Sequence, residues 1–192
     1  MHHITVYLII IFCSLQASSC LSSKRQPKET SLASAISAIK QGKPEKVPIY
    51  VRNNPAILNS SDENGCTLLH WAAYCDTTGV STENLLDSGA PIDAKDKDGR
   101  TAFDWAYEGA NASAMQQLIK KAIALGRLTL RGQDGKTLLH YAAALDHKES
   151  NALVKRLLAL GLDPNLQDNY GRNPLCYAQR NDILTLLYSV TH

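Results

Sequence analysis

Two histidines and an aspartate hold equivalent places in similar stretches of the sequence, and their side chains have the clearest potential for chemistry. His70 lies in TLLHWAA, Asp104 in TAFDWAY and His140 in TLLHYAA. An imidazole or a carboxylate can act as a general acid or base, or bind a metal, when suitable partners lie at a fixed distance. The sequence offers no GxSxG, HExxH, phosphate-loop or EF-hand pattern to supply those partners. We therefore predict that the chain is not an enzyme and has no catalytic residue, metal or cofactor.

Three cysteines follow the N-terminal leader, and they lack the spacing of a metal site. Cys66, Cys75 and Cys176 form neither a CxxC motif nor a His/Cys pattern typical of zinc. If one short helix separates Cys66 from Cys75, its rise of about 1.5 Å per residue places their Cα atoms beyond the ~7 Å limit for a disulfide. We expect free thiols that pack as small apolar groups.

The N-terminal leader differs in composition from the rest of the chain, since no Asp, Glu, Lys or Arg precedes Lys24. Its apolar run ITVYLIIIFCSL, from Ile4 to Leu15, is shorter than the roughly 20 residues that a membrane-spanning helix needs. The run has the length of the core of a secretory signal. We therefore expect residues 1–19 to be a signal peptide and the chain to be exported.

The small residues QASSC end the leader at Cys20 and resemble the lipobox of bacterial lipoproteins. That resemblance implies that Cys20 is lipidated, that residues 20–30 form a polar tether, and that the chain lies at the periplasmic face of a membrane. Leu21 after the cysteine favours the outer membrane. Ala17 stands where leucine is usual, and the leader opens without lysine or arginine, so ordinary secretion with cleavage near Ala17 or Ser19 is the first alternative and an uncleaved anchor is the second.

Four stretches of the sequence align on a glycine. They are DENGCTLLHWAA from Asp62, DKDGRTAFDWAY from Asp96, GQDGKTLLHYAA from Gly132 and DNYGRNPLCYAQ from Asp168. The aligned glycines are separated by 34, 36 and 36 residues. A period of this length is typical of a solenoid in which each unit buries its apolar face against the next.

Each repeated stretch predicts a turn followed by a pair of helices. The Asp- and Asn-rich run ending in glycine favours a tight turn with positive φ. Side chains that can cap a helix N-terminus follow, and a second apolar helix ends at another glycine in the first three units. The turn glycines are Gly65, Gly99, Gly135 and Gly171, the caps are Thr67, Thr101, Thr137 and Asn173, and the helix-ending glycines are Gly89, Gly126 and Gly161.

The pattern of turn, T-x-L-H-x-A-A helix, second helix and Gly-Ala loop resembles the ankyrin repeat. TLLHWAA, TLLHYAA, DSGAPIDAKDKDG and ALGLDPNLQDNYG carry the resemblance. It implies an all-α ankyrin-repeat solenoid over residues 31–191, with about five helix-pair units joined by hairpin-like turns. We place the units at about 31–61, 62–95, 96–131, 132–167 and 168–191. The first unit is degenerate, and Pro48 predicts that its second helix is kinked or begins late.

The resemblance also implies that His70 and His140 make structural hydrogen bonds to neighbouring turns. Asp104 and Cys176 replace that histidine in two units, and we expect those joints to be looser by about 1 kcal/mol each. The next position is aromatic in all four units, with Trp71, Trp105, Tyr141 and Tyr177. These rings either pack between helices or form a partly exposed aromatic stripe.

Protein partners of this family are bound by the turn tips and by the exposed face of the first helices. Positions that vary between units are the candidates, because the fold does not require them. On the tips these are Glu63, Asn64, Lys97, Asp98, Arg100, Gln133, Asp134, Lys136, Asn169, Tyr170 and Arg172, and on the helical face they are Tyr74, Glu108, Leu145 and Arg180.

Charge gives no reason to expect nucleic acid as a partner, since 20 Lys and Arg against 18 Asp and Glu leave a net charge of +2. We expect a non-catalytic binding module for a protein, exported and lipid-anchored. Exported bacterial ankyrin lipoproteins resemble immunity proteins that block secreted phospholipase toxins delivered by type VI secretion. A periplasmic scaffold supporting a stress-response enzyme is the alternative.

Overall fold

The computed structural model describes residues 31–191, and that range contains nine α-helices and three short 3-10 turns. The helices are α1 (Leu32–Lys40), α2 (Val47–Asn53), α3 (Leu68–Cys75), α4 (Val80–Asp87), α5 (Ala102–Glu108), α6 (Ala112–Ala124), α7 (Leu138–Ala143), α8 (Ser150–Ala159) and α9 (Asn181–Thr191). The 3-10 turns are Pro44–Lys46, Pro55–Leu58 and Pro174–Tyr177. Within residues 31–191 there is no β-strand, and the all-α prediction is confirmed.

The turns and caps follow from local sequence. Thr67, Thr101 and Thr137 are the N-cap residues of α3, α5 and α7, as predicted. Gly65 has φ of +79°, and a Cβ there would lie 3.0 Å from the backbone nitrogen of Lys97 in the next turn. A side chain is therefore excluded both by the backbone conformation and by the neighbouring unit. Two of the turns are hairpin-like, because an isolated antiparallel bridge closes each of them. One bridge joins Ser61 to Thr67, and the other joins Arg131 to Thr137.

The helices form two layers. The first helices α3, α5 and α7 make one layer, and the second helices α4, α6 and α8 make the other. Alanines such as Ala72 and Ala142 are fully buried where neighbouring helices approach, and larger side chains such as Leu118 and Leu157 fill the space between the layers. One continuous core therefore runs through the described units.

The two terminal units depart from the inner ones. Helix α2 begins at Val47, so that Pro48 lies in its first turn, where a missing N–H is tolerated; this is the late start that the sequence predicted. The fifth unit corrects the prediction of a helix pair, because its first helix is only the 3-10 turn Pro174–Tyr177. Asn173 caps that turn, and the backbone becomes extended at Ala178.

The first helices become shorter along the chain. Helix α3 has eight residues, α5 has seven and α7 has six, and the corresponding turn of the fifth unit has four. Helices α5 and α7 also approach each other less closely than α3 and α5 do. The inner face of the third unit is therefore covered incompletely by the fourth.

The predicted signal peptide, the lipidation residue Cys20 and the tether of residues 20–30 lie outside the described residues. Among residues 31–191, no helix combines the length and apolar character that crossing a bilayer requires. The boundaries of the repeat domain and of its five units stay predictions.

Candidate protein-binding site

Buried aspartates organise the tips of the turns. The Asp96 Oδ1 atom accepts hydrogen bonds from the backbone N–H groups of Asp98 and Arg100, at 3.0 and 2.9 Å. Its Oδ2 atom accepts from the indole Nε1 of Trp105 at 2.9 Å and from the guanidinium Nε of Arg100 at 2.9 Å. Burial alone would raise the pKa of Asp96, but these hydrogen bonds hold it below its usual value. The carboxylate thus fixes the shape of the tip.

Neighbouring tips are joined in pairs through their backbones, the first to the second and the third to the fourth, and the Asp104 side chain links the third tip to the preceding unit. We call the turns 62–66, 96–100, 132–136 and 168–172 the tip ledge. The Lys97 N–H donates to the carbonyl of Asn64 at 2.9 Å, and the Asn169 N–H donates to the carbonyl of Asp134 at 2.8 Å. The exposed side chains of the ledge are therefore presented from a backbone held by regular hydrogen bonds.

The two histidines are buried parts of the frame. His70 is completely buried, its Nδ1 accepts the Thr67 N–H at 3.1 Å, and its Nε2 donates to the carbonyl of Arg100 at 3.2 Å. His140 repeats this arrangement, with its Nε2 3.0 Å from the carbonyl of Arg172. Burial lowers the pKa of both imidazoles, which favours the neutral ring that these bonds require. The structural role implied by the family resemblance agrees with this geometry.

Asp104 does not loosen its joint, in contrast to the sequence expectation. Its Oδ2 atom accepts from the Thr101 N–H at 2.8 Å and from the Gln133 N–H of the next tip at 3.1 Å. Its Oδ1 atom accepts the Tyr141 hydroxyl at 2.5 Å. Position 132 is glycine where the other tips carry aspartate, and a Cβ at Gly132 would overlap both the Tyr141 hydroxyl and the Asp104 carboxylate. Asp104 therefore occupies the place of the missing tip carboxylate and links the third and fourth units.

The aromatic positions pack rather than forming an open stripe. Tyr141 and Tyr177 are buried, and Trp71 and Trp105 are half-buried with ring centroids 5.2 Å apart. Lys40 lies over the Trp71 ring with its Nζ 3.7 Å from the centroid. The structure thus supports packing of these rings between helices over an exposed aromatic stripe. The Lys40 ammonium also limits access to the exposed edge of Trp71.

Thirteen of the fifteen predicted partner-binding residues reach the surface. Ten are exposed: Glu63, Asn64, Tyr74, Lys97, Asp98, Glu108, Gln133, Asn169, Tyr170 and Arg172. Three are partly exposed: Arg100, Asp134 and Arg180.

Lys136 and Leu145 correct the prediction, because both are buried. The Lys136 ammonium pairs with Asp134 at 2.6 Å and lies over the rings of Tyr107 and Tyr177, at 5.5 and 6.0 Å from their centroids. Leu145 packs into the core behind α7. Neither side chain is presented on the outer surface; Lys136 is removed from the proposed binding surface, and Leu145 can be reached only through the cavity described below.

The three thiols within residues 31–191 are free and differ in environment. Cys66 is buried, Cys75 is half-buried and Cys176 is exposed. Burial raises the pKa of the Cys66 thiol to about 11. Over the same residues, no group of three or more His, Cys, Asp or Glu side chains could hold a metal ion.

A cavity of about 400 Å³ opens between the third and fourth units, and sequence reasoning missed it. Its apolar floor includes Ala106 and Met115, and its edge carries Tyr107, Glu108 and Asp146. The cavity follows from the shortening of the first helices, which is a feature of the structure rather than of the aligned sequences. Of the residues at this edge, only Glu108 was among the predicted binding positions.

Known proteins with ankyrin repeats are similar to this chain over its repeated stretches. The family model for ankyrin repeats (3 copies) matches residues 35–128 and 111–191. Rabankyrin-5 from Homo sapiens is 30% identical over 129 residues, which are 63% of this chain and 11% of that protein. NF-kappa-B inhibitor zeta from Bos taurus is 31% identical over 93 residues, 47% of this chain and 13% of that protein. NAD-dependent deacetylase sir2B from Dictyostelium discoideum is 33% identical over 95 residues, 47% of this chain and 12% of that protein. The chain thus matches only 11–13% of the length of these relatives.

Proposed function

The chain belongs to the ankyrin-repeat family and is a protein-binding module, and from that premise we propose that it is a non-catalytic inhibitor that covers its partner. The observation that carries the proposal is the tip ledge. Its backbone is fixed by buried aspartates and by bonds between tips, whereas its outward side chains differ from unit to unit. A rigid frame with variable side chains favours specific binding, since little conformational entropy is lost on association.

The composition of the ledge indicates the chemistry of the partner surface. Lys97 and Tyr170 are exposed, and Glu63 lies on the first tip with the opposite charge. The partner therefore needs complementary charges of both signs around an apolar contact, and association should weaken with salt. An interface of ordinary size, about 1,600 Å² in total, would cover the ledge and the adjoining face of the first helices.

The finer proposal is an exported immunity protein. The apolar leader and the QASSC sequence support export and lipidation of Cys20, with the outer membrane favoured. A lipid anchor would concentrate the inhibitor at the membrane that a phospholipase toxin attacks. A periplasmic scaffold for a stress-response enzyme is the second candidate, supported by the free thiols. Capture of a phospholipase favours the first candidate, and capture of an oxidative-stress enzyme favours the second.

A charge reversal on the ledge tests the binding surface. Lys97→Glu should abolish capture of the partner from the cell envelope, because it places a negative charge at the centre of the ledge. Lys155→Glu, a reversal of an exposed lysine on α8 in the other layer, is the matched control and should capture the partner normally. Equal capture by both variants would refute the placement of the interface.

A labelling experiment tests the anchor. Cells producing the wild-type chain should incorporate radioactive palmitate into it, and Cys20→Ala should remove the label. Equal labelling of the two chains would refute lipidation at Cys20.

A further inference from the structure

The cavity between the third and fourth units combines an apolar interior with a negatively charged mouth. Helix α7 ends at Ala143, two residues before Leu145, whereas the equivalent α3 continues to Cys75. The end of α5 is therefore covered only in part, and the side chains of Met115 and Leu145 line the buried side of the cavity. The cavity volume of about 400 Å³ lies near the lower end of the range for ligand pockets and is large enough for one long side chain.

The charges around the mouth are unbalanced. The two carboxylates at the mouth have long contacts to their cations: Glu108 lies 3.4 Å from Arg100, and Asp146 lies 3.9 Å from Arg180. Both carboxylates therefore keep acceptor sites for a further cation. Arg100 is shared with Asp96 and Asp98, and Arg180 is shared with Asp182; these three carboxylates do not line the cavity. Glu108 and Asp146, which do line it, therefore each have only a share of one cation.

One further feature agrees with a binding role for this cavity. Lys136, the nearest other cation on the Tyr107 side, is already neutralised by Asp134 at 2.6 Å.

We propose that this cavity receives an arginine side chain of the partner protein. The aliphatic part of the arginine would lie on the apolar floor, and its guanidinium would bond the carboxylates of Glu108 and Asp146 at the mouth. Arginine fits better than lysine because its planar group forms paired hydrogen bonds to carboxylates and lies well against aromatic rings such as Tyr107. The inference rests on the proposed function, since it names one chemical feature of the partner.

A peptide titration tests the pocket without the partner. The ¹⁵N-labelled full chain is titrated with acetyl-Gly-Gly-Arg-Gly-Gly-amide and with the same peptide carrying citrulline, which has the shape of arginine but no charge. The arginine peptide should shift the amide signals of Ala110, Ala112 and Ala144 with a saturable, millimolar dissociation constant. The citrulline peptide should bind about tenfold more weakly or worse, because charge-assisted hydrogen bonds are about twice as strong as neutral ones.

Paired variants assign the effect to the carboxylates. Glu108→Gln combined with Asp146→Asn should weaken the arginine peptide about tenfold, whereas Asp163→Asn, an exposed carboxylate elsewhere, should leave it unchanged. Equal shifts with arginine and citrulline, or shifts confined to other amides, would overturn this inference. Those results leave the partner-capture experiment untouched. Loss of capture with an intact arginine response would instead overturn the proposed function and keep the pocket.

Discussion

The exchange between Asp104 and Gly132 predicts that substitutions at these two positions depend on one another. In the fifth unit, the Tyr177 hydroxyl donates to Asp168 on its own tip, whereas the Tyr141 hydroxyl donates to Asp104 of the preceding unit. Asp104→His alone removes the acceptor of the Tyr141 hydroxyl, and Gly132→Asp alone creates a clash with that hydroxyl. The two substitutions together should rebuild the arrangement of the other units.

The first single substitution, Asp104→His, should destabilise the chain. The new ring can still accept the Thr101 N–H, as His70 does with Thr67. The Tyr141 hydroxyl, in a residue only 1% exposed, would lose its acceptor. An unsatisfied buried hydroxyl and the lost bond to the next tip together cost about 3 kcal/mol.

The second single substitution, Gly132→Asp, should also destabilise the chain. Its Cβ would overlap the Tyr141 hydroxyl, and its carboxylate would stand beside that of Asp104 without a cation between them. Displacing the buried phenol and placing two like charges together costs about 3 kcal/mol.

The double variant should recover most of the loss. The new tip carboxylate would accept the Tyr141 hydroxyl and the N–H groups of residues 134 and 136, as Asp96 does on its own tip. We expect a stability within about 1 kcal/mol of wild type and a coupling free energy of at least about 2 kcal/mol. Urea unfolding followed by the fluorescence of Trp71 and Trp105 gives the three differences.

A tyrosine variant supplies the control for this cycle. In a Tyr141→Phe background no hydroxyl needs an acceptor, so the cost of Asp104→His should fall by about 1–2 kcal/mol. If the two single effects simply add in the double variant, the two departures are independent and the reasoning about the exchange is refuted.

Three further predictions concern other contacts. Asn111→Ala should cost about 2 kcal/mol in urea unfolding, because the amide donates to two carbonyls of the preceding unit at 2.9 and 3.0 Å; a loss under 0.5 kcal/mol contradicts this. Burial favours a raised pKa at Asp168, but bonds from Tyr177 and the tip backbone lower it well below its usual value, so this stabilisation is full above the unfolded pKa of about 4 and is lost progressively as pH falls from there through the folded pKa. Tyr177→Phe should therefore have its full cost in free energy of unfolding at pH 7 and a steadily smaller cost as the pH is lowered toward 1, and a cost independent of pH over that range argues against the link. Iodoacetamide at pH 8 should modify Cys176 in the folded chain and Cys66 only in urea, as mass spectrometry can show; prompt modification of Cys66 contradicts its burial.

The parts of the fold that were predictable depend on neighbours in sequence. A threonine N-cap and a turn glycine act over three or four residues, so Thr67 and Gly65 could be assigned from the repeat alone. The 3-10 turn of the last unit was less predictable. No further described unit packs against Pro174–Tyr177, and local preference alone does not extend it into a helix.

The parts of the site that were missed depend on neighbours in space. Lys136 has the same repeat position as Arg100 and was expected on the surface, but Tyr107 and Tyr177 from adjacent units cover it. The aligned sequences already contained a clue to the bond at Asp104, since glycine replaces aspartate at position 132. Recognising it required knowing that the Tyr141 hydroxyl could reach the preceding unit.

The Asp104 carboxylate, which serves both the third and the fourth unit, limits which repeats of this chain can be deleted or transferred. Excising residues 96–131 would leave the Tyr141 hydroxyl with neither a tip aspartate nor Asp104. Excising residues 132–167 would set Asp104 against Asp168, two carboxylates competing for one tyrosine. The third and fourth repeats therefore form an inseparable cassette, which must be duplicated, deleted or grafted as a pair, with the cuts placed near residues 95 and 168.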